Sequence, residues 1–263
     1  MYKDLKGKTA IITGASRGMG LSIAEELVKE GCRIALVDID RGKLQEEVRR
    51  LSGLYGDSKV LDVYCNIGDQ ESVNKGIQKV QDKWKTINIL VNNAGILKRS
   101  FLEEMDNDDW EQILKVNLTG VFLCIKAVVP YMKKGGGGSV VNVSSNVAAL
   151  PSISMGAYCV TKTGIETMTK VFASELAPYN IRVNAYAPGV IETEMTRDIL
   201  ESRAEEKLET IPLNRFGTTK DISSLVLFLC SDSSSYIDGA VIPINGGMLT
   251  TQNPWKARKG QRS

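Results

Sequence analysis

Apolar and polar positions along the chain follow two rhythms in regular succession. Short, β-branched runs at 8–13, 33–37, 59–65, 87–91, 139–144, 181–187 and 240–244 read as buried strands. Between them, the stretches 21–30, 41–52, 70–83, 108–132, 156–177 and 221–230 carry apolar residues at helical spacing, such as Ile23, Ala24, Leu27 and Val28. That alternation predicts a doubly wound α/β fold with a seven-stranded, mainly parallel sheet and helices on both faces. Asn117 interrupts the apolar face of the 108–132 helix, and a buried amide there bends the helix or holds a water. From 190 to 218 the pattern weakens, and Glu192, Thr193, Glu194 and Met195 open a polar stretch that reads as a lid. Residues 1–249 read as one domain, followed by a basic tail, 250–263, with Trp255 as a candidate anchor on a neighbouring subunit.

Composition narrows the classes of partner. The 33 basic and 31 acidic side chains leave a net charge of +2, so nothing resembles a nucleic-acid footprint. No apolar run approaches the ~18 residues that span a bilayer, and the opening MYKDLKGK has no apolar signal region, so no membrane partner is expected. Five scattered cysteines fit reduced thiols and a cytoplasmic setting. There is no histidine, which removes histidine triads and histidine zinc sites and leaves proton handling to tyrosine and lysine; no metal is expected.

Candidate chemistry gathers at three places. The sequence TGASRGMG, residues 13–20, falls between the first strand and the first helix, where glycines admit a pyrophosphate and free helix N–H groups receive its charge. Asp38 closes the second strand, 18 residues after Gly20, where a carboxylate can hydrogen-bond ribose hydroxyls and repel a 2′-phosphate. That favours NAD over NADP, although Arg17 and Arg41 stand nearby and Asp38 can also be read as a helix N-cap. Asn92, Asn93, Ala94 and Gly95 end the fourth strand with small and amide-bearing residues, as a turn or a ligand crevice would. Finally, Tyr158 and Lys162 are four apart and share a helix face, with Ser145 thirteen residues before the tyrosine. An ammonium beside a phenol lowers its pKa toward the operating pH, and Ser145 offers a hydroxyl to the same substrate oxygen.

Together these motifs, with PGVIET from Pro188, resemble the single-domain short-chain dehydrogenase/reductase family in order and spacing over about residues 5–248. The resemblance implies a Rossmann-like fold, with Tyr158 as acid/base, Lys162 lowering its pKa and binding the nicotinamide ribose, and Ser145 positioning the substrate oxygen. Asn117 would complete the set through a water-linked proton relay. Gly14, Gly18 and Gly20 would form the pyrophosphate loop with Ser16, Arg17 and Met19, while Asp38 and Ile39 would face the adenosine ribose. Asn93, Ala94 and Gly95 would line the adenosine and ribose channel; Pro188, Gly189, Val190 and Thr193 would meet the carboxamide end of the nicotinamide. At the adenine position this chain has Asn66 followed by Ile67 where the family usually has an Asp, so the charge is lost while an amide acceptor remains. Family members are commonly homotetramers joined through the two long helices and the last strand.

The expected activity is NAD(H)-dependent interconversion of a secondary alcohol and its ketone, with a polyol, sugar or cyclic alcohol as the small-molecule substrate. Val147, Leu150, Ser152, Ile153, Met155, Gly189 and the segment after Thr193 would shape the pocket. An NADPH-dependent 3-oxoacyl-[acyl-carrier-protein] reductase shares every one of these motifs, and a non-catalytic nucleotide sensor would share the fold.

Overall fold

In the computed structural model, which describes residues 2–250, seven strands form one sheet in the order β3-β2-β1-β4-β5-β6-β7. The strands are β1 (Thr9–Thr13), β2 (Arg33–Asp38), β3 (Val60–Tyr64), β4 (Ile89–Asn92), β5 (Gly138–Val143), β6 (Ile181–Pro188) and β7 (Val241–Ile244). Every pairing is parallel, so the mainly parallel sheet expected from the sequence is parallel throughout. The strand order reverses between β1 and β4. A doubly wound sheet opens its ligand crevice at such a point, outside the carboxyl ends of the strands.

Because neighbouring strand residues point to opposite faces, Ile11 and Ile12 belong to two different cores. On one side Ile12, Ile34 and Val91 pack with Ile23 and Leu27 of α1 (Gly18–Lys29), Leu44 of α2 (Arg41–Tyr55) and Val226 of α10 (Thr219–Cys230). On the other, Ile11, Leu90 and Val140 meet Ile77 of α3 (Gln70–Trp84), Ile125 of α5 (Gly120–Lys134) and Ile165 of α7 (Gly156–Leu176). Each enclosed Ile, Leu or Val contributes about 1.5–3 kcal/mol relative to exposure.

The helix expected at 108–132 is real but not uniform. It runs as α4 (Asn107–Leu114), a π turn at Lys115–Thr119, and α5, with Gly120 N–H donating to the Lys115 carbonyl five residues back. Asn117 lies in the wide turn, so the residue that breaks the apolar pattern also breaks the helical one. By length and composition alone these 28 residues could cross a bilayer; here Val121, Cys124, Ile125, Val128 and Met132 are buried against the sheet. The outer face of α5 and α7, through which the family resemblance expects copies to meet, exposes Phe122 and Val171, with the Phe122 and Phe172 rings stacked at 6.3 Å.

The 190–218 stretch has more structure than its sequence predicts. Two short helices, α8 (Arg197–Ser202) and α9 (Ala204–Glu209), lie within it. Its ends are pinned together by an Ile191–Gly217 bridge, in which Glu192 N–H donates to the Gly217 carbonyl at 2.8 Å. A four-residue helix, α6 (Asn146–Ala149), also follows β5. The expected Trp255 contact lies outside the described residues.

Candidate active site

The glycine turn fills the switch point between β1 and β4. Gly14 has a positive φ of 63°, and a Cβ there would come within 2.8 Å of the Ala94 Cα. At Gly20 the space is smaller still: a Cβ would lie 2.2 Å from the Gly14 carbonyl oxygen and 2.6 Å from Asn93 Nδ2. Only glycine fits between the turn, the start of α1 and the end of β4. Thr13 Oγ1 accepts the N–H groups of both Asn93 (3.0 Å) and Ala94 (3.1 Å), which ties β1 to β4.

This turn suits a pyrophosphate. Arg17 at the head of α1 makes no side-chain capping hydrogen bond, and the first helical turn carries no acid to neutralise its positive end. Ser16 Oγ is buried and has no hydrogen-bond partner among the described residues. A phosphate oxygen would satisfy these free donors. Gly14 and Gly20, with Ser16 and the α1 N–H groups, are therefore the residues that would hold a dinucleotide here.

Across the crevice stand Ser145, Tyr158 and Lys162. Ser145 leaves β5 as the N-cap of α6 and accepts the Val147 N–H at 3.3 Å. Tyr158 is partly buried in the first turn of α7. One turn on, Lys162 is only 2% exposed; its Nζ donates to the Val143 carbonyl at 2.9 Å and lies 5.3 Å from the centre of the Tyr158 ring. Burial pushes the Tyr158 phenol up to about 12, with a hydrogen bond from Ser145 pulling the other way. It also pushes the Lys162 ammonium down to about 7. The expected lowering of the phenol by the lysine is therefore not seen, because burial acts on both groups and Ser145 is what pulls the phenol down. At neutral pH the phenol holds its proton and is equipped as an acid.

A family model described as enoyl-(acyl carrier protein) reductase matches residues 14–249. The chain is 42% identical over 245 residues to the 3-oxoacyl-[acyl-carrier-protein] reductase FabG of Thermotoga maritima, covering 93% of this chain and 99% of that one. It is 41% identical over 249 residues to the enzyme of the same name from Aquifex aeolicus, covering 95% and 100%. The chain belongs to the short-chain dehydrogenase/reductase family. It is an NAD(P)-dependent oxidoreductase acting on CH–OH groups. Among solved structures, a gluconate 5-dehydrogenase from Burkholderia cenocepacia J2315 in complex with NADP and tartrate superimposes with a TM-score of 0.90 at 29% identity, covering 95% of this chain and 99% of that one.

Several side chains of this short-chain dehydrogenase/reductase stand differently from expectation. Asp38 is not a helix N-cap: Asp40 caps α2 by accepting the Lys43 N–H, while Asp38 accepts the N–H groups of Ser16, Ile39 and Asp40. Arg17 turns away from the glycine loop to pair with Asp40 at 2.6 Å and Glu194 at 2.8 Å, and Arg41 stacks over the Tyr64 ring. Asn66 Oδ1 already accepts the Gly68 N–H, and the Ile67 side chain is core packed against Gly120, so only the main chain of Ile67 remains for a ligand. The Asn93 side chain is spent on Thr13 and Gly14 rather than on a channel. Likewise, both amide atoms of Asn117 bond the Ile96 main chain at 2.8 Å, so its side chain braces that segment.

Other expected residues lie close to one another. A Cβ on Gly95 would approach Asn117 Oδ1 at 3.4 Å and Lys162 Nζ at 3.9 Å, and Thr193 lies against Gly18. Pro188 ends β6, and Gly189 fits tightly against Asn245 of the β7 end. Val190 instead lines a cavity of about 300 Å³ with Ile191, Ile211, Leu213 and Ile244, beyond the turn and apart from Tyr158. Sequence reasoning passed over Ser144, whose buried Oγ donates to Glu166 at 2.7 Å beside Ser145. It also passed over Thr13, although a hydroxyl ending an apolar strand was a visible signal.

Proposed function

We propose that this oxidoreductase reduces a 3-oxoacyl thioester to the 3-hydroxyacyl thioester. The observation that carries the reading is the apolar approach to Tyr158. Phe101 (54% exposed), Leu102 (60%), Leu150 (66%) and Ile153 (80%) stand open to solvent next to the residues that lead into α7. The segment around Phe101 and Leu102 is held there: Ser100 N–H donates to the Ser154 carbonyl at 3.0 Å, and Leu102 packs onto Gly156. Such a rim fits an acyl chain better than a polyol, because its most exposed large side chains are apolar. Relatives more than 40% identical that carry the 3-oxoacyl reductase name support the same substrate class.

The bound nicotinamide supplies the hydride. Ser145 and Tyr158 hydrogen-bond the 3-oxo oxygen, and the Tyr158 phenol gives its proton to that oxygen as negative charge develops. A phenol held at about 12 is in the form this direction needs. For the dinucleotide we favour NAD(H), since the Asp38 carboxylate would repel a 2′-phosphate and Arg17 is already engaged by two carboxylates. The test is initial rates on a 3-oxoacyl thioester with NADH and with NADPH, beside gluconate and polyol oxidation with both cofactors. Thioester reduction that is faster with NADH is expected. Turnover confined to sugars or polyols would overturn the substrate, and a preference for NADPH would overturn the cofactor.

A further inference from the structure

Tyr186 is the largest side chain that the fold encloses completely, and none of the chemistry above uses it. It lies on β6 between Val143 of β5 and Ile242 of β7. An apolar side chain would fill that space as well, and a buried hydroxyl is costly unless it is partnered. This one is: it donates to Asn93 Oδ1 at 3.1 Å. Desolvation keeps the phenol far above the neutral range, so it remains an uncharged donor.

The other end of the Asn93 amide explains the arrangement. Nδ2 donates to the main-chain carbonyls of Thr13 and Gly14, each at 3.2 Å, and sits where a Cβ on Gly20 would collide. A hydrogen-bonded tether therefore runs from β6, past β5, to the end of β4 and into the first residues of the glycine turn. The strand that holds one end of this tether also runs into Pro188 and Gly189. The two ends of the crevice are thus joined through the Tyr186 and Asn93 side chains as well as through the sheet.

We propose that Tyr186 is a positioning residue for the dinucleotide. Its hydroxyl satisfies Asn93 Oδ1, holds the amide in the orientation that grips the Gly14 carbonyl, and so keeps the N–H groups of the turn set for an anion. The proposal rests on NAD(P) binding by the family and is independent of the substrate.

Tyr186→Phe keeps the ring and removes only the donor. Fluorescence titration with NADH and with NADPH is expected to show Kd raised about tenfold for both, the worth of one buried hydrogen bond. Turnover at saturating cofactor should stay within about twofold. In the cofactor-free protein, amide hydrogen exchange should quicken across residues 14–20 and stay unchanged in β6. Asn93→Ala should raise Kd by a similar factor, and the double variant should add little to either single change. An unchanged Kd in either single variant, or factors that multiply in the double variant, would overturn the proposal.

Discussion

The two walls of the crevice are built differently. On the dinucleotide wall, β1, β4 and the glycine turn meet at backbone distances that admit no Cβ, and the polar side chains of Thr13 and Asn93 are committed to holding that geometry. On the proposed substrate wall, Phe101, Leu150 and Ile153 are exposed. The contrast teaches where this molecule can change its specificity. The glycine turn is tied to the sheet and cannot change without disturbing the core, whereas Asp38, Arg17 and the exposed rim side chains can change without touching that core.

The sharpest break in that comparison is Tyr158→Phe, which touches chemistry and neither wall. Steady-state assays should show turnover reduced by about 10³-fold, with dinucleotide Kd unchanged. Retained turnover would remove the phenol from proton transfer.

Lys162→Met comes next and is read in stability rather than rate. Lys162 has a pKa of about 7 when folded against an ordinary value of 10.5, so between these values the unfolded chain binds the extra proton. Folding stability of the cofactor-free protein therefore rises with pH in that window, by about 1.4 kcal/mol per pH unit from this group. Between pH 7 and 9 denaturant melts should show the rise in the parent chain and its loss in the variant. The buried cysteines oppose it above about pH 9, where an unfolded thiol ionises and the enclosed Cys124 and Cys230 do not. An equal slope in both proteins would mean that the lysine stays charged inside the fold.

The smallest effect belongs to the substrate wall. Ile153→Asp should raise KM for a long-chain 3-oxoacyl thioester about tenfold, leave a short-chain thioester nearly unaffected and spare cofactor binding. Equal effects on both chain lengths would show that the rim does not contact the acyl chain.

Much of this was legible in the sequence where a local pattern has a single structural outcome. Buried parallel strands are apolar at most positions, and a glycine turn must fall between the first strand and helix, so the sheet and the cradle could be read directly. What could not be read were the partners of polar side chains. Asn93, Asn66 and Arg17 all carry groups that can serve a ligand, but hydrogen-bond commitments depend on residues 13 and 14, 68, and 40 and 194. The ionisation of Lys162 was hidden for a related reason. Spacing places it beside Tyr158, but only the packed structure shows how completely it is buried. The short helices after residue 196 escaped notice because they bury no apolar face that would show as a period.

The wide turn at Lys115–Thr119 has a consequence for chain-length variation. It accommodates one residue more than an ordinary helical turn, so a one-codon deletion there would leave an ordinary turn with α4 and α5 still in phase, and the side chains within the turn would change direction. Asn117 would swing off the Ile96 main chain, and the floor beneath Gly95 and Lys162 would go with it. The 190–218 segment is closed at both ends by the Ile191–Gly217 bridge, so a residue inserted between them leaves the sheet and the floor of the crevice in place.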